Sequence, residues 1–263
     1  MFAYQGSTAL VTGASKGLGA AYARALAKRG MRLVLVARST GALEDLAAQL
    51  SRDFSTSCTV IAADLGKADA ARRIAEQIDD RGIVVDLVVN NAGLGLTGPF
   101  TEHDLGAELN SIQVNVSALT ALTYLMAKGM IERGRGAILN LASNAAFLPL
   151  PNMATYAAAK AYVLFFSEAL AVELNPHGVS VLAVCPGPTA TDFFGDTNTN
   201  LAAKDFDTAE QVVERSLFDL DRGKIVSYPG RRSVRIGTLL PRLFPRRMTL
   251  AFAGQAMRKM GLT

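Results

Sequence analysis

Short apolar runs alternate along this chain with longer stretches in which apolar positions recur every three or four residues. Thr8–Thr12 (TALVT), Met31–Ala37 (MRLVLVA), Thr59–Ala63, Val84–Val89, Ala137–Ala142 and Val179–Val184 read as buried strands, with Lys224–Tyr228 as a seventh. Between them Ala20–Arg29, Thr40–Arg52, Ala68–Asp80, a long segment from about Asp104 to Ile131 and a segment carrying Tyr156 to about Leu174 read as helices. Gly30 closes the first helix, and Cys185-Pro186-Gly187-Pro188 stops the sixth strand. Strands alternating with helices of this length predict βαβ units and a parallel sheet. The expected fold class is α/β: a single-domain, Rossmann-like, doubly wound parallel sheet of about seven strands with helices on both faces. It would occupy residues 1–230, with 231–263 an extension packed on the same domain. No repeat, low-complexity segment or Pro/Gly/Ser-rich linker divides the chain.

Composition adds a few bounds. Half of the 263 residues are hydrophobic and 19% are charged, enough for a large core. No apolar run reaches the roughly 18 residues of a membrane span, and the chain enters its first strand without a basic-then-apolar leader. Cys58 and Cys185 lie far apart in apolar surroundings, which predicts free thiols and a cytoplasmic protein. His103 and His177 form no ligand cluster, so no metal is expected. The net charge of +4 is uneven: residues 224–263 hold nine Lys/Arg and no Asp/Glu, which leaves −5 for the rest. In that tail Leu239, Leu240, Leu243 and Phe244 have the spacing of one apolar helix face, while Pro241 and Pro245 break any long helix. Packing over a pocket or a subunit partner is favoured over docking on an anionic membrane, and no nucleic-acid motif accompanies the basic residues.

Candidate chemistry sits at strand ends. Gly13, Gly17 and Gly19, in G-x-x-x-G-x-G spacing with Ser15, Lys16 and Leu18, join the first strand to the first helix. Small residues there let backbone N–H groups approach a pyrophosphate at the helix N-terminus, although such a loop is often only a tight turn. The second strand ends in Arg38 with no acid beside it, and Lys16 lies in the glycine loop, from which it could reach the same 2′-phosphate. This favours NADP(H) over NAD(H). Tyr156 and Lys160, four apart in an Ala-rich run, share a helix face. A free tyrosine titrates near pH 10, and a neighbouring ammonium would lower that value. Ser143, at the end of the fifth strand, is placed to hydrogen-bond a substrate carbonyl beside the tyrosine.

With these residues in order, the chain resembles the short-chain dehydrogenase/reductase family over roughly its first 230 residues. Thr12–Gly19 (TGASKGLG) is similar to the family's cofactor loop, Asp64-Leu65 to its adenine-contacting pair, and Asn90–Gly93 (NNAG, with Asn91, Ala92 and Gly93) to its fourth-strand signature. Asn115, Ser143, Tyr156 and Lys160 fill the family's catalytic positions, and Pro186-Gly187 with Thr189 resembles the segment that holds the nicotinamide carboxamide. The resemblance implies hydride transfer between NADP(H) and a carbonyl or secondary alcohol. Tyr156 would be the acid/base, Lys160 would tune it and bind the ribose, Ser143 would hold the carbonyl oxygen, and Asn115 would support a water linking Lys160 to solvent. It also implies a homodimer or homotetramer. The tail resembles that of a broad bacterial subgroup.

The substrate side is less specific. Phe147, Leu148, Leu150 and Met153, with Phe193 and Phe194 on the family's lid segment, suggest a hydrophobic or bulky substrate such as a ketone, ketoacyl or steroid-like compound. A nucleotide-sensing protein without turnover and a lipid-surface interaction protein using the basic tail are the competing readings. The intact Ser143–Tyr156–Lys160 set speaks for an enzyme.

Overall fold

A computed structural model describes residues 2–191, 200–239 and 243–262. Phe193, Phe194, Leu240 and Pro241 therefore lie outside the described residues. Seven parallel strands form one sheet in the order β3-β2-β1-β4-β5-β6-β7: β1 (Thr8–Thr12), β2 (Arg32–Ala37), β3 (Cys58–Ala62), β4 (Leu87–Asn90), β5 (Gly136–Leu141), β6 (Val179–Val184) and β7 (Val226–Ser227). The helices are α1 (Gly17–Lys28), α2 (Thr40–Phe54), α3 (Ala70–Asp79), α4 (Leu105–Glu132), α5 (Ala154–Leu174), α6 (Ala209–Asp221), α7 (Arg232–Gly237) and α8 (Arg246–Lys259).

Alternation along the strands sorts these helices onto two faces. Ala9, Val11, Leu33, Leu35, Val89 and Leu139 point to one face and pack with α1, α2 and α6. Leu10, Val34, Val36, Val88 and Ile138 point to the other and pack with α3, α4 and α5. Covering both faces is why the strands read as continuous apolar runs rather than as alternating ones. The strand order reverses at β1 and β4, and in such sheets ligands bind outside the carboxyl ends at that switch.

The seven-strand parallel sheet is the one expected, with differences at the margins. Val84, expected to open the fourth strand, is exposed, and pairing begins at Leu87. Helix α6 was not anticipated, although Thr208 and Gln211 form a reciprocal capping box at its start. The long segment is one helix, α4, with a π-turn over Gln113–Ala118. It is long and apolar enough to cross a membrane by length and composition, which corrects the expectation that no segment is. An uninterrupted apolar run missed it because a helix absorbs isolated charges such as Glu108 and Lys128; half of the stretch is buried in protein. In the tail, the apolar face read from Leu239, Leu243 and Phe244 is exposed. The contact inward is made by Ala253, Met257 and Leu262. Met257 and Leu262 share a cluster with Ala145, Met153 and Tyr156.

Candidate active site

Every segment singled out from the sequence as cofactor-binding leaves the carboxyl end of a strand. Gly13–Gly19 follow β1, Arg38 follows β2, Asp64 and Leu65 follow β3, Asn91–Gly93 follow β4, Ser143 follows β5, and Pro186–Thr189 follow β6. Parallel pairing brings these ends to one edge of the sheet.

The glycine loop is shaped for a close-lying group. Gly13 has φ 63, a left-handed conformation that a side chain disfavours, and a Cβ at Gly19 would run into the Gly13 carbonyl oxygen. Ala14 N–H donates to Val36 O, which ties the loop to the end of β2; Lys16 in the loop and Arg38 after β2 are both exposed. Lys16, the N-cap of α1, contributes no side-chain cap to the helix N-terminus. Thr191 closes over the loop, 3.3 Å from where a Gly17 Cβ would lie. A cradle that side chains would fill, a helix N-terminus without a cap, and two cations beside it fit a phosphate-rich dinucleotide.

Asn90 and Asn91 have structural work. Asn90 Nδ2 donates to Asn140 Oδ1 (2.9 Å) and Thr123 Oγ1 (3.0 Å), joining β4 to β5 and α4. Asn91 Nδ2 donates to Thr12 O (2.9 Å), and the Asn91 and Ala92 amides both donate to Thr12 Oγ1. Leu65 is buried, while Asp64 is exposed and accepts from the Gly66 amide. Asn144 N–H donates to Pro186 O, and Thr189 Oγ1 donates to Gly187 O, so the β5 and β6 ends hold one another.

Ser143, Tyr156 and Lys160 converge as expected from their spacing. All three are buried. Ser143 Oγ accepts from the Ala145 amide (3.1 Å), which fixes the hydroxyl where it also hydrogen-bonds Tyr156. Lys160 Nζ donates to Leu141 O (2.7 Å) and lies 5.7 Å from the centre of the Tyr156 ring. Burial dominates both titrations. It pushes Tyr156 up to about 12, partly offset by Ser143, and pushes Lys160 down to about 8. The expected lowering of the tyrosine by the lysine does not set its titration; desolvation of the phenolate does, with Ser143 opposing it. Asn115 sits in the π-turn: Nδ2 donates to Leu94 O (2.7 Å) and Ser111 O (2.9 Å), and Oδ1 accepts from Leu94 N. Gly93 lies between Asn115 and Lys160, with its missing Cβ 2.8 Å from Asn115 Oδ1 and 3.4 Å from Lys160 Nζ.

A narrow cleft with a free volume of about 20 Å³ opens on Tyr156. Met153 lines it as expected, together with Leu96, Phe100 and Thr155. Phe147 does not reach it. Its ring packs 5.8 Å from that of Tyr228, against a core cluster containing Ala142 and Val163, because the turn after Ser143 faces it toward β7. Leu150 packs behind the cleft, in the cluster of Tyr156 and Met257. Asn152 joins the walls: its carbonyl accepts from the Gly98 amide and its Nδ2 donates to Leu262 O. The sequence carried no signal for half-buried His103 and buried Glu108, which line the cleft as a pair 2.6 Å apart. The only hint was an acid in the first turn of α4, next to its N-cap Asp104.

A family model described as short chain dehydrogenase matches residues 7–202. The very-long-chain 3-oxoacyl-CoA reductase of Anas platyrhynchos is 36% identical over 191 residues, covering 71% of this chain but 61% of that relative's length. Among solved structures, the short-chain dehydrogenase from Sphingobium yanoikuyae in complex with NADPH is 33% identical with a TM-score of 0.82, covering 90% of this chain and 93% of the other. The bulky-bulky ketone specific alcohol dehydrogenase from Comamonas testosteroni is 32% identical with a TM-score of 0.79, covering 94% of each.

Proposed function

This chain belongs to the short-chain dehydrogenase family, and from that premise we propose that it is an NADP(H)-dependent oxidoreductase of a hydrophobic ketone or secondary alcohol. The observation that carries the reading is the meeting of Ser143, Tyr156 and Lys160 at the same sheet edge as the glycine cradle and its two cations. When bound, NADPH supplies a hydride to the carbonyl carbon. The loop Gly13–Gly19 with Ser15 and Leu18 would hold its phosphates, Lys16 and Arg38 its 2′-phosphate, and Asp64 and Leu65 its adenine. Asn91, Ala92, Gly93, Pro186, Gly187 and Thr189 would hold the nicotinamide half. The NADPH-bound neighbour supports this choice of cofactor.

The chain's own residues handle the proton. Ser143 Oγ donates to the substrate oxygen and orients it toward Tyr156. The Tyr156 phenol gives its proton to that oxygen as negative charge develops, and takes one in the reverse direction. A phenol held near 12 is a poor donor on its own. Lys160, buried and ready to lose a proton near pH 8, favours the phenolate once it is brought into register with it. Asn115, close to Lys160 across Gly93, would hold a water that returns the proton to Lys160.

Leu96, Phe100 and Met153 suit an apolar substrate, and a ketone-specific solved relative supports a bulky one. We place a homo-oligomeric contact on the outer face of α4 and α5. Phe165 and Val172 are 69% and 71% exposed there, with Leu105, Leu109 and Tyr124 also exposed. Cys58 and Cys185 are free, in keeping with a cytoplasmic site of action. The test is ketone-dependent oxidation of NADPH across aryl ketones, ketoacyl thioesters and steroids. Reduction of at least one class, with the alcohol recovered as product, is expected; NADPH binding with no turnover of any class would favour a sensor.

A further inference from the structure

We propose that Glu108 is a specificity-determining anchor which accepts a hydrogen bond from a hydroxyl on the substrate, remote from the carbonyl that is reduced. The inference deepens the oxidoreductase reading and rests on it. It assigns the substrate class as ketones carrying a second, hydrogen-bond-donating group.

Glu108 stands on the first turn of α4 and is only 5% exposed, yet it lines the same cleft as Tyr156. Its Oε1 is taken by His103 Nδ1 at 2.6 Å. The other His103 nitrogen, Nε2, faces Thr97 O at 3.3 Å. Both ring nitrogens thus face acceptors, an arrangement satisfied when both donate, as an imidazolium does. The hydrogen bond to Glu108 also raises the His103 pKa, in the same direction.

The pair is therefore an ion pair with no net charge and one oxygen left over. Glu108 Oε2 is buried and has no hydrogen bond of good geometry among the described residues. The Thr155 hydroxyl, on the same cleft, also hydrogen-bonds the carboxylate and helps hold it ionised; a carboxylate has lone pairs beyond those that His103 and Thr155 engage. A buried carboxylate oxygen left unpaired is costly, and an apolar residue would pack at this position without that cost. A neutral pair with one spare acceptor suits a neutral donor, a hydroxyl or an amide N–H, better than a cation. The remaining walls, Leu96, Phe100 and Met153, suit the apolar body between the two polar ends of such a substrate.

The test compares propiophenone with its ortho-, meta- and para-hydroxyphenyl analogues by calorimetry on the NADP⁺-loaded full chain, so that no turnover is required. At least one hydroxyl isomer should bind roughly ten- to a hundredfold more tightly than propiophenone, the range of a hydrogen bond to a charged group. That ratio should fall to within about threefold in Glu108→Met and to an intermediate value in Glu108→Gln. Equal affinity of all four ketones for the native chain, or a hydroxyl preference that survives in Glu108→Met, would overturn the proposal. If Glu108→Met loses its folded circular-dichroism spectrum, the native comparison and Glu108→Gln decide. If NADP⁺ itself does not bind, the oxidoreductase reading fails, and the same ketone comparison on the chain alone still decides the role of Glu108.

Discussion

Lys160 is a buried cation held by one backbone carbonyl, and its depressed pKa has a stability consequence. The folded value of about 8 lies below the roughly 10.4 of an unfolded lysine. Between these values the unfolded chain binds more protons, so Lys160 makes stability rise with pH across that window and lowers it below about pH 8. Lys160→Met should therefore melt higher than the parent near neutral pH, by up to about 3 kcal/mol, while losing activity and cofactor affinity. The difference in melting temperature should shrink as pH is raised toward about 10. A variant less stable than the parent at neutral pH would mean that the bond to Leu141 outweighs the buried charge. Arg38 gives a second prediction at this scale. If it contacts the 2′-phosphate, Arg38→Ala weakens NADPH roughly ten- to a hundredfold and leaves NADH nearly unchanged, by titration of each cofactor. Equal losses for both would make Arg38 a fold residue.

Among the elements, α8 and the outer face of α4 and α5 carry the expectations that reach furthest beyond the sheet. Met257 and Leu262 bury against Tyr156 and Met153, so the tail packs behind two residues that line the cleft. Truncation after Gly230 should uncover that cluster, raising KM for bulky ketones or causing aggregation. Unchanged KM in a soluble truncated chain would remove α8 from the substrate site. The other flank of α8 is less settled by packing: Leu243 is 75% exposed, and Phe244 and Phe252 pack on each other at 6.0 Å rather than on the core. On α5, replacing Phe165 and Val172 by Glu should convert the proposed oligomer to a monomer by light scattering. An unchanged mass would place the contact elsewhere. Legibility differed between these elements for physical reasons. Helix α5 was readable from Ala-rich propensity and the Tyr156–Lys160 spacing. Helix α6 starts at a capping box written in Thr208 and Gln211, but its buried positions Val212, Val213, Leu217 and Leu220 are separated by charged residues and form no apolar run. The tail was readable as apolar and basic, but which face turns inward depends on Met257 and Leu262 meeting residues a hundred positions away.

At the scale of the whole molecule, the parallel sheet was legible because its central strands are buried on both faces and read as short continuous apolar runs. The cofactor edge followed from topology, since parallel strands must present their carboxyl ends together. The cleft was only partly legible. Met153 lines the cleft beside Tyr156, whereas the direction of Phe147 is set by contact with Tyr228, distant in sequence. His103 and Glu108 gave no periodic signal at all, and only the folded loop joins them to Thr97 and Tyr156. The central claim is that the Tyr156 phenol moves the proton while the rest of the site merely holds the reactants. The most direct measurement is NADPH binding and ketone reduction by Tyr156→Phe on a ketone the parent reduces. The account predicts NADPH affinity close to the parent's with turnover reduced at least about a hundredfold, the lower end of what a positioned acid supplies. Turnover within a few fold of the parent would contradict it.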